Sequence, residues 1–429
     1  MLVPFLAAAA AACPAAPPTA QPRADRQRYV LNVRVAPSFR KVSGDVTVRF
    51  TAGRPTTRLV FRLWPNGPRE RREGMRLDVG RPISRDGDFR VERPDPTTLV
   101  VRVGELARGA TVHVRLPWRL RVPRAPVDRI SRFRGGLRLG TFFPMLAWDP
   151  RRGWITDPPA AILGESSTFP AADFDVRVRL PRGVTALVSG IPEGPGRWRA
   201  RAIRDVAIEI ARFRIVRATA HAPAPVKVRV GVPQSTDVDA QTFARFAVRA
   251  LERLSRRYGP YPRPVYTLAV APDLFGGGIE YPTFSFIADS PFTEGVIDHE
   301  TAHQWFYSLV GNDQALDPWL DETLATWAQQ RVDGLIRPPR GPLPRGVHRH
   351  VAAPMTYWTR FPRGYFWGVY EEGANALRSL GNDRGVDCAL RAYAARHAYT
   401  IAQPGDLLDE LNRVIPGAER RLRVWGIHR

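Results

Sequence analysis

The stretch VIDHETAHQWF (296–306) places two histidines four residues apart, with a glutamate directly after the first. Residues four apart lie on the same face of an α-helix, so the imidazoles of His299 and His303 would point to one side. Two neutral imidazoles in this arrangement are a natural pair of ligands for Zn²⁺. Glu300 lies about 100° around the helix, where it can reach a metal-bound water rather than the metal itself.

Chance His-Glu-x-x-His matches occur in unrelated chains, so a metal site also needs a third ligand. The next segment, GNDQALDPWLDETLATWAQQ (311–330), predicts a second helix, with Asp317 as its N-cap and Pro318 at its first position. Glu322 follows His303 with eighteen residues between them, and an antiparallel helix pair can bring its carboxylate back to the histidines. Two histidines and one glutamate leave a fourth position for water, as in catalytic zinc sites.

The composition limits the classes of partner. The chain has 429 residues, which suggests two or three domains. Its formal net charge is +23, nearly all from arginine, because Lys41 and Lys227 are the lysines. A basic chain can bind nucleic acid or another polyanion, and a salt titration would test this. The arginines are spread without a basic block or an aromatic-interleaved RNA motif, so arginine-rich codon usage is the simpler reading and no nucleic-acid partner is expected.

The first residues, MLVPFLAAAAAACPAAPPTA (1–20), are typical of an export signal. The apolar run at 2–12 is too short to span a membrane and matches the apolar region of a secretory signal. The small residues before Cys13 resemble a bacterial lipoprotein cleavage site, so Cys13 is a candidate for a lipid anchor. An ordinary signal peptide or a disordered leader is the alternative. We expect an extracytoplasmic location, with 1–27 as leader and linker.

The other cysteine is Cys388. If Cys13 is lipidated or removed, no intrachain disulfide can form, and we then expect a fold that does not depend on one.

Hydrophobic periodicity divides the rest of the chain in two. From Tyr29 to about Val216, apolar and polar residues alternate in short runs separated by Gly, Pro and Asp, which predicts half-buried antiparallel strands. We expect a β-sandwich domain at 28–225 and a second domain at 226–429, an α+β architecture overall.

The second part is expected to contain a few strands and then helices. An amphipathic helix is predicted at 241–259, with Gly259 as its stop. After Thr293 the chain should be mainly helical, beginning with a helix of about 17 residues between Thr293 as N-cap and Gly311 as C-cap.

With these motifs identified, the sequence resembles the aminopeptidase-N-like zinc metallopeptidases, which are gluzincins of the membrane alanyl aminopeptidase type. The pairing of HETAH with WLDETLATW is similar to their zinc signature, GGGIEYPTF (276–284) looks like their exopeptidase motif, and GVYEEGANALRSL (368–380) looks like the segment with their catalytic tyrosine. The resemblance covers about 30–416. It implies an N-terminal antiparallel β-sandwich followed by a thermolysin-like, mainly helical catalytic domain.

The resemblance also implies a role for each matching residue. His299, His303 and Glu322 would bind one Zn²⁺ per chain. Glu300 would be the general base that takes a proton from the metal-bound water and passes it to the leaving amine.

Other matching residues would hold the substrate. Tyr370 would donate a hydrogen bond where negative charge develops. Glu280 would bind the free α-amine of a peptide, and Gly276, Gly277 and Gly278 would let the peptide backbone approach an edge strand. The implied activity is that of a zinc aminopeptidase acting on peptides with a free N-terminus, and we expect a monomer.

The sequence departs from the pattern of these relatives in three ways. Ile279 and Tyr281 replace the methionine and asparagine of the best-known exopeptidase motif, and Tyr281 is a rival to Tyr370 as the hydrogen-bond donor. Asp321 stands where asparagine is usual before the glutamate ligand. The chain stops before the large helical C-terminal domain of many relatives, as in a short bacterial form.

Two alternatives stay open at this point. One is an endopeptidase on the same scaffold, which would have no use for an amine-binding carboxylate at Glu280. The other is an inactive extracytoplasmic binding protein, although a decayed enzyme has usually lost at least one of its catalytic residues.

Overall fold

The structure, a computed structural model, describes residues 13–123, 129–161, 168–274, 277–335 and 342–429. The apolar run at 2–12, Gly276 and part of the predicted loop at 335–346 lie outside these ranges. Within the described ranges, no helix combines the length and the apolar character needed to cross a lipid bilayer.

The first part of the described chain is built from β-strands, as the two-residue periodicity predicted, with one short helix, α1 (Pro68–Arg72). The strands are β1 (Arg28–Val35), β2 (Lys41–Thr51), β3 (Thr56–Arg62), β4 (Arg76–Val79), β5 (Arg90–Asp95), β6 (Thr98–Leu106), β7 (Thr111–Arg121), β8 (Ile130–Phe133), β9 (Gly136–Gly140), β10 (Met145–Leu146), β11 (Trp148–Asp149), β12 (Gly153–Trp154), β13 (Ala172–Arg179), β14 (Thr185–Val188), β15 (Ile191–Pro192), β16 (Arg197–Ile203) and β17 (Ala207–Ala211).

These strands form sheets around one hydrophobic core. A seven-stranded sheet has the order β15-β16-β13-β1-β2-β7-β4, and two four-stranded sheets have the orders β10-β3-β6-β5 and β14-β17-β9-β8. Alternate residues of β2, including Val46, Val48 and Phe50, point into this core, as expected of strands with one buried face. The pairing is mostly antiparallel, but β1 and β13 are parallel.

The second part is a smaller sheet covered by helices. Its strands are β18 (Phe213–His221), β19 (Pro225–Pro233), β20 (Val265–Val270), β21 (Gly278–Tyr281) and β22 (Phe284–Ile287), and a separate two-stranded sheet is formed by β23 (Gly311–Asn312) and β24 (Ile401–Ala402). Its helices are α2 (Ala240–Tyr258), α3 (Thr293–Ala302), α4 (Trp319–Asp333), α5 (Met355–Arg360), α6 (Glu372–Arg378), α7 (Asp383–Arg396), α8 (Pro404–Val414) and α9 (Ala418–Leu422), with 3-10 turns at Pro362–Gly364 and Arg423–Trp425 and a π-helical segment at Phe366–Glu371. A further 3-10 turn, Trp64–Asn66, lies in the first part.

The five-stranded sheet has the order β18-β19-β20-β22-β21, so β21 lies at its edge. Helix α2 matches its prediction: the Asp239 side chain accepts hydrogen bonds from the backbone at its start, and Gly259 follows its last residue. The buried faces of the helices share a second core that contains Leu251, Trp305 and Trp327. The predicted α+β class and the order of a β-rich part followed by a mainly helical part are confirmed.

The hairpin β18–β19 belongs to the second sheet, because β19 continues the ladder by pairing in parallel with β20. The predicted division between 28–225 and 226–429 falls at the turn of this hairpin. The domain limits stay a prediction, and a limit just before β18 would keep the sheet whole.

Helix α3 is shorter than predicted. It spans Thr293–Ala302 rather than about 17 residues, Thr293 is its first helical residue rather than its cap, and Gly311 lies in β23. The helix ends because the next residues dock elsewhere. The Gln304 side chain bonds the backbone of the β21–β22 hairpin at Thr283 and Tyr281.

The first described residues, 13–27, differ from the predicted linker and contain one half of a disulfide. Cys13 forms a disulfide with Cys388 on α7, whereas a fold without a disulfide was expected for a chain whose Cys13 is lipidated or removed. A sulfur bonded to another sulfur cannot carry a lipid thioether, so a lipid anchor on Cys13 is incompatible with this form of the chain. Residues 13–27, predicted as a linker, form a strap across both parts: Ala20 N–H donates to Ala395 O, and Arg26 pairs with Asp173.

Candidate metal centre and active site

Helix α3, the residue that follows it and helix α4 bring His299, His303 and Glu322 to one point. The two Nε2 atoms are 3.1 Å apart, and Glu322 Oε2 lies 3.2 Å from His299 Nε2 and 3.3 Å from His303 Nε2. Tetrahedral ligands at about 2.1 Å from Zn²⁺ lie about 3.4 Å from one another. The spacing and the donor set therefore fit zinc, and three ligands leave one tetrahedral position for a water or a substrate atom.

The charge state of Glu322 suits a metal ligand. Burial alone would raise the pKa of Glu322, but the charge of His303 and hydrogen bonds from both histidines hold the pKa well below its usual value. The side chain is almost fully buried and ionised, which is the form that binds a cation.

Glu300 lies beside the metal centre in a tightly shaped pocket. A Cβ atom on Gly278 would lie 2.4 Å from Glu300 Cγ, so only glycine leaves room for this carboxylate. Burial raises the pKa of Glu300 well above its usual value, and the nearby Glu280 carboxylate adds to the shift. A carboxylate with a raised pKa is a stronger base. Glu300 Oε2 makes no hydrogen bond within the described part of the chain, so it is available to a water or a substrate.

Glu280 lies on the edge strand β21, next to the metal centre. Ligand atoms of Glu280, Glu300 and His303 lie within 4.8 Å of one another. Glu280 is 4% exposed, and its Oε1 atom has no hydrogen-bond partner among the described residues. Burial raises the pKa of this carboxyl to about 7. A buried carboxylate without a bonded cation is costly, so the arrangement favours a cationic partner from outside the chain.

Tyr370 lies on the other side of His299. Its ring stacks on the His299 ring, with centroids 5.7 Å apart. Burial and the charge of Glu322 raise the pKa of Tyr370 well above its usual value, so its hydroxyl stays a hydrogen-bond donor. The residue belongs to the π-helical segment Phe366–Glu371, and such segments occur frequently at functional sites.

These residues line a cleft of about 400 Å³ in the second part of the chain, to which the β-rich part contributes Arg129. Gly277 lines it too, and a Cβ there would meet nothing within 4 Å among the described residues. Three exposed apolar side chains stand on the rim, namely Phe292 at 57%, Leu335 at 54% and Phe366 at 50% exposure. The cleft is thus charged at its base and apolar at its mouth.

Tyr281 does not reach the cleft. Its side chain is fully buried, and its hydroxyl bonds Arg129 and Thr141 of the β-rich part. This placement favours Tyr370 over Tyr281 as the hydrogen-bond donor to a substrate.

Sequence reasoning missed three residues near the centre. Arg129, from the β-rich part, lines the cleft, and its charge opposes the rise in the pKa of Glu280. Asp321 bonds His303, and Thr323 bonds the chain next to Tyr370. No local motif marks Arg129, whereas the position of Asp321 beside Glu322 was a signal that could have been followed.

Known aminopeptidases are similar to part of this chain. No family model matches the chain. Aminopeptidase RNPEPL1 of Mus musculus is 29% identical over 203 residues, which cover 39% of this chain and 27% of the relative. Aminopeptidase M1 of Arabidopsis thaliana is 25% identical over 235 residues, which cover 47% of this chain and 26% of the relative. The chain therefore spans about a quarter of the length of these curated relatives.

A solved structure has the same fold. An M1 zinc metallopeptidase from Deinococcus radiodurans superposes with a TM-score of 0.66 at 21% identity, covering 94% of this chain and 95% of that chain. A mutant of the Deinococcus protein was solved with a Tyr-Ser-Ala substrate. These findings confirm the resemblance inferred from the sequence.

Proposed function

We propose that this relative of the aminopeptidase-N-like zinc metallopeptidases is a zinc-dependent aminopeptidase, which removes N-terminal residues from peptides. The observation that carries the proposal is the position of Glu280. A buried carboxylate whose Oε1 atom has no hydrogen-bond partner in the described ranges, on an edge strand and beside a donor set that fits zinc, suits the ammonium group of a peptide N-terminus. Binding the amine there also determines which peptide bond reaches the metal centre.

Each residue of the site can take part in hydrolysis. When bound, Zn²⁺ polarises the peptide carbonyl and lowers the pKa of a water molecule. Glu300 accepts the proton of the attacking water and donates it to the nitrogen of the leaving amine. Tyr370 donates a hydrogen bond to the oxygen on which negative charge develops. Glu280 holds the substrate's ammonium, and β21 offers backbone groups to the extended peptide.

The experiment that tests the proposal is a screen of aminoacyl fluorogenic substrates, with and without a metal chelator. We expect hydrolysis that chelation abolishes and that added Zn²⁺ restores. Absence of hydrolysis across the screen, by protein that contains zinc, would contradict the proposal and favour the inactive binding protein. Against that reading stands the complete set His299, Glu300, His303, Glu322 and Tyr370, which converges on one cleft.

The second candidate is an endopeptidase on the same scaffold. Matched peptides with a free and an acetylated N-terminus separate the two activities. An aminopeptidase needs the free amine, whereas an endopeptidase cleaves both peptides equally well.

We also propose an extracytoplasmic location. The apolar run at 2–12 supports export, and the disulfide between Cys13 and Cys388 supports an oxidising compartment, because disulfides rarely persist in the cytosol. Cell fractionation, with peptide mapping under non-reducing conditions, tests both points. Full-length chain with free thiols in the cytoplasm would contradict the proposal, and a lipid on Cys13 would show that the anchor replaces the disulfide.

A further inference from the structure

We infer that Asp321 is a positioning residue for the ligand His303, an inference that rests on the zinc site of the proposed function. Asp321 directly precedes the ligand Glu322 on α4, and its side chain is fully buried. His303 Nδ1–H donates a hydrogen bond to Asp321 Oδ1 over 2.7 Å. The residue thus touches the ligand from behind, on the side away from the cleft.

This bond determines which nitrogen of His303 faces the metal. The backbone carbonyl of Phe306 also lies near Nδ1, at 3.1 Å. Both neighbours of Nδ1 are acceptors, so the ring must carry its hydrogen on that atom. The lone pair of neutral His303 is then on Nε2, the atom that converges with His299 and Glu322.

The Asp321 carboxylate is itself held in place. Its second oxygen, Oδ2, accepts a hydrogen bond from Gln314 Nε2 over 2.8 Å. Gln314 is buried in the turn between β23 and α4. The chain of contacts from Gln314 through Asp321 to His303 fixes the plane of the imidazole, and a carboxylate behind a ligating histidine makes that histidine a more basic ligand.

The two histidines differ in this respect. In the part of the chain that the structure describes, His299 bonds through Nε2 and stacks on Tyr370, and no bond at its Nδ1 atom is seen. His303 is therefore the ligand that Asp321 holds by a hydrogen bond, and a change at Asp321 should alter the orientation of His303 rather than that of His299.

The test measures zinc affinity by competition with a fluorescent chelator, which requires no activity. Asp321→Asn keeps an acceptor of the same shape but loses the charge, and Asp321→Ala loses both. Asp333→Asn, at the far end of α4, removes a charge from the same helix without touching either histidine. We expect affinity to fall about 10-fold in Asp321→Asn and about 100-fold in Asp321→Ala, and to stay within about twofold of the parent in Asp333→Asn.

Replacement of zinc by Co²⁺ gives a second readout, since the visible absorption bands report the ligand geometry. We expect altered bands in the Asp321 variants and unchanged bands in Asp333→Asn. Parent-like zinc affinity and parent-like Co²⁺ bands in Asp321→Asn and Asp321→Ala would overturn the inference. Failure of the parent to bind zinc would instead overturn the proposed function, and the inference with it. If Asp321→Ala does not fold, as circular dichroism in chelator would show, Asp321→Asn decides.

Discussion

Thr323 Oγ1 donates a hydrogen bond to the backbone carbonyl of Val369 over 2.5 Å. Thr323 follows the ligand Glu322 on α4, and Val369 precedes Tyr370 in the π-helical segment. Gly373 allows the close approach, because a Cβ there would lie 2.0 Å from Thr323 Oγ1. The bond therefore links the helix that supplies a metal ligand to the segment that supplies the hydroxyl donor.

We predict that Thr323→Val lowers kcat about 10-fold while KM and zinc content stay unchanged. The isosteric valine loses the bond to Val369, and small misplacements of a catalytic group are costly in rate. Tyr370→Phe should lower kcat by about 10²–10³-fold, as loss of one oxyanion donor does. The double variant should be no slower than Tyr370→Phe, because Thr323 acts through Tyr370. Additive losses would show that Thr323 acts independently.

Glu300→Gln should retain zinc and the fold but lose about 10²–10⁴-fold in kcat. The amide keeps the shape of the side chain and cannot accept the proton of the attacking water. Metal analysis and single-turnover kinetics on the same preparation separate binding from chemistry. Turnover close to that of the parent would refute the role of Glu300 as the base.

Glu280→Ala should lower kcat/KM for free-amine substrates by about 10–100-fold. The estimate converts a charge-assisted hydrogen bond of about 1.5–3 kcal/mol at about 1.4 kcal/mol per decade. Glu105→Ala, which removes an exposed glutamate of the β-rich part, should leave kcat/KM unchanged. N-acetylated peptides should be poor substrates of the parent. If they are cleaved efficiently, the aminopeptidase assignment is wrong and the endopeptidase assignment takes its place.

Phe366→Ala should raise KM about 3–10-fold for peptides with apolar side chains and leave KM for glycine- and serine-rich peptides unchanged. The Phe366 ring lies 5.0 Å from the Tyr370 ring at the mouth of the cleft and is half exposed. A substrate side chain can cover this exposed area, a gain smaller than full burial of an aromatic group. Val424→Ala, at an exposed apolar position outside the cleft, is the matched control. An equal rise in KM for both peptide classes would exclude an apolar contact.

The parts of this protein that were predictable from the sequence depend on local spacing. The amphipathic stripe of α2, the alternation in β2 and the His299–His303 pair are each set by residues within a few positions of one another, and each is found where it was expected. Glu322 could also be predicted as a ligand, because it follows His303 by only one turn and the start of one helix.

The parts that were missed depend on contacts between distant segments. Helix α3 stops at Ala302 because Gln304 bonds the β21–β22 hairpin, a tertiary contact that overrides the local caps. Arg129 reaches the cleft from the β-rich part. The bond between Cys13 and Cys388 depends on the position of the strap against α7. The hydrophobic periodicity of the sequence does not predict this position.

We predict that loss of the disulfide lowers stability by about 2–4 kcal/mol, the usual effect of a cross-link on the unfolded chain. Cys13→Ser and Cys388→Ser should both melt at a lower temperature than the parent. Reductant should lower the melting temperature of the parent and leave that of the two variants unchanged. Thermal unfolding followed by circular dichroism, with and without reductant, checks this. Identical melting temperatures of the oxidised parent and the two variants would show that the strap adds no stability.

The strap also affects the order of events during synthesis. Cys13 is made before Cys388, and its partner follows 375 residues later, which takes roughly 20–75 s at typical elongation rates. None of the residues made between Cys13 and Cys388 is a cysteine, so this segment offers Cys13 no wrong partner during the interval. Until Cys388 is available, the Cys13 thiol can react with a thiol-modifying enzyme or with the thiol of another molecule. Whether the disulfide forms therefore depends on which of these reactions is faster.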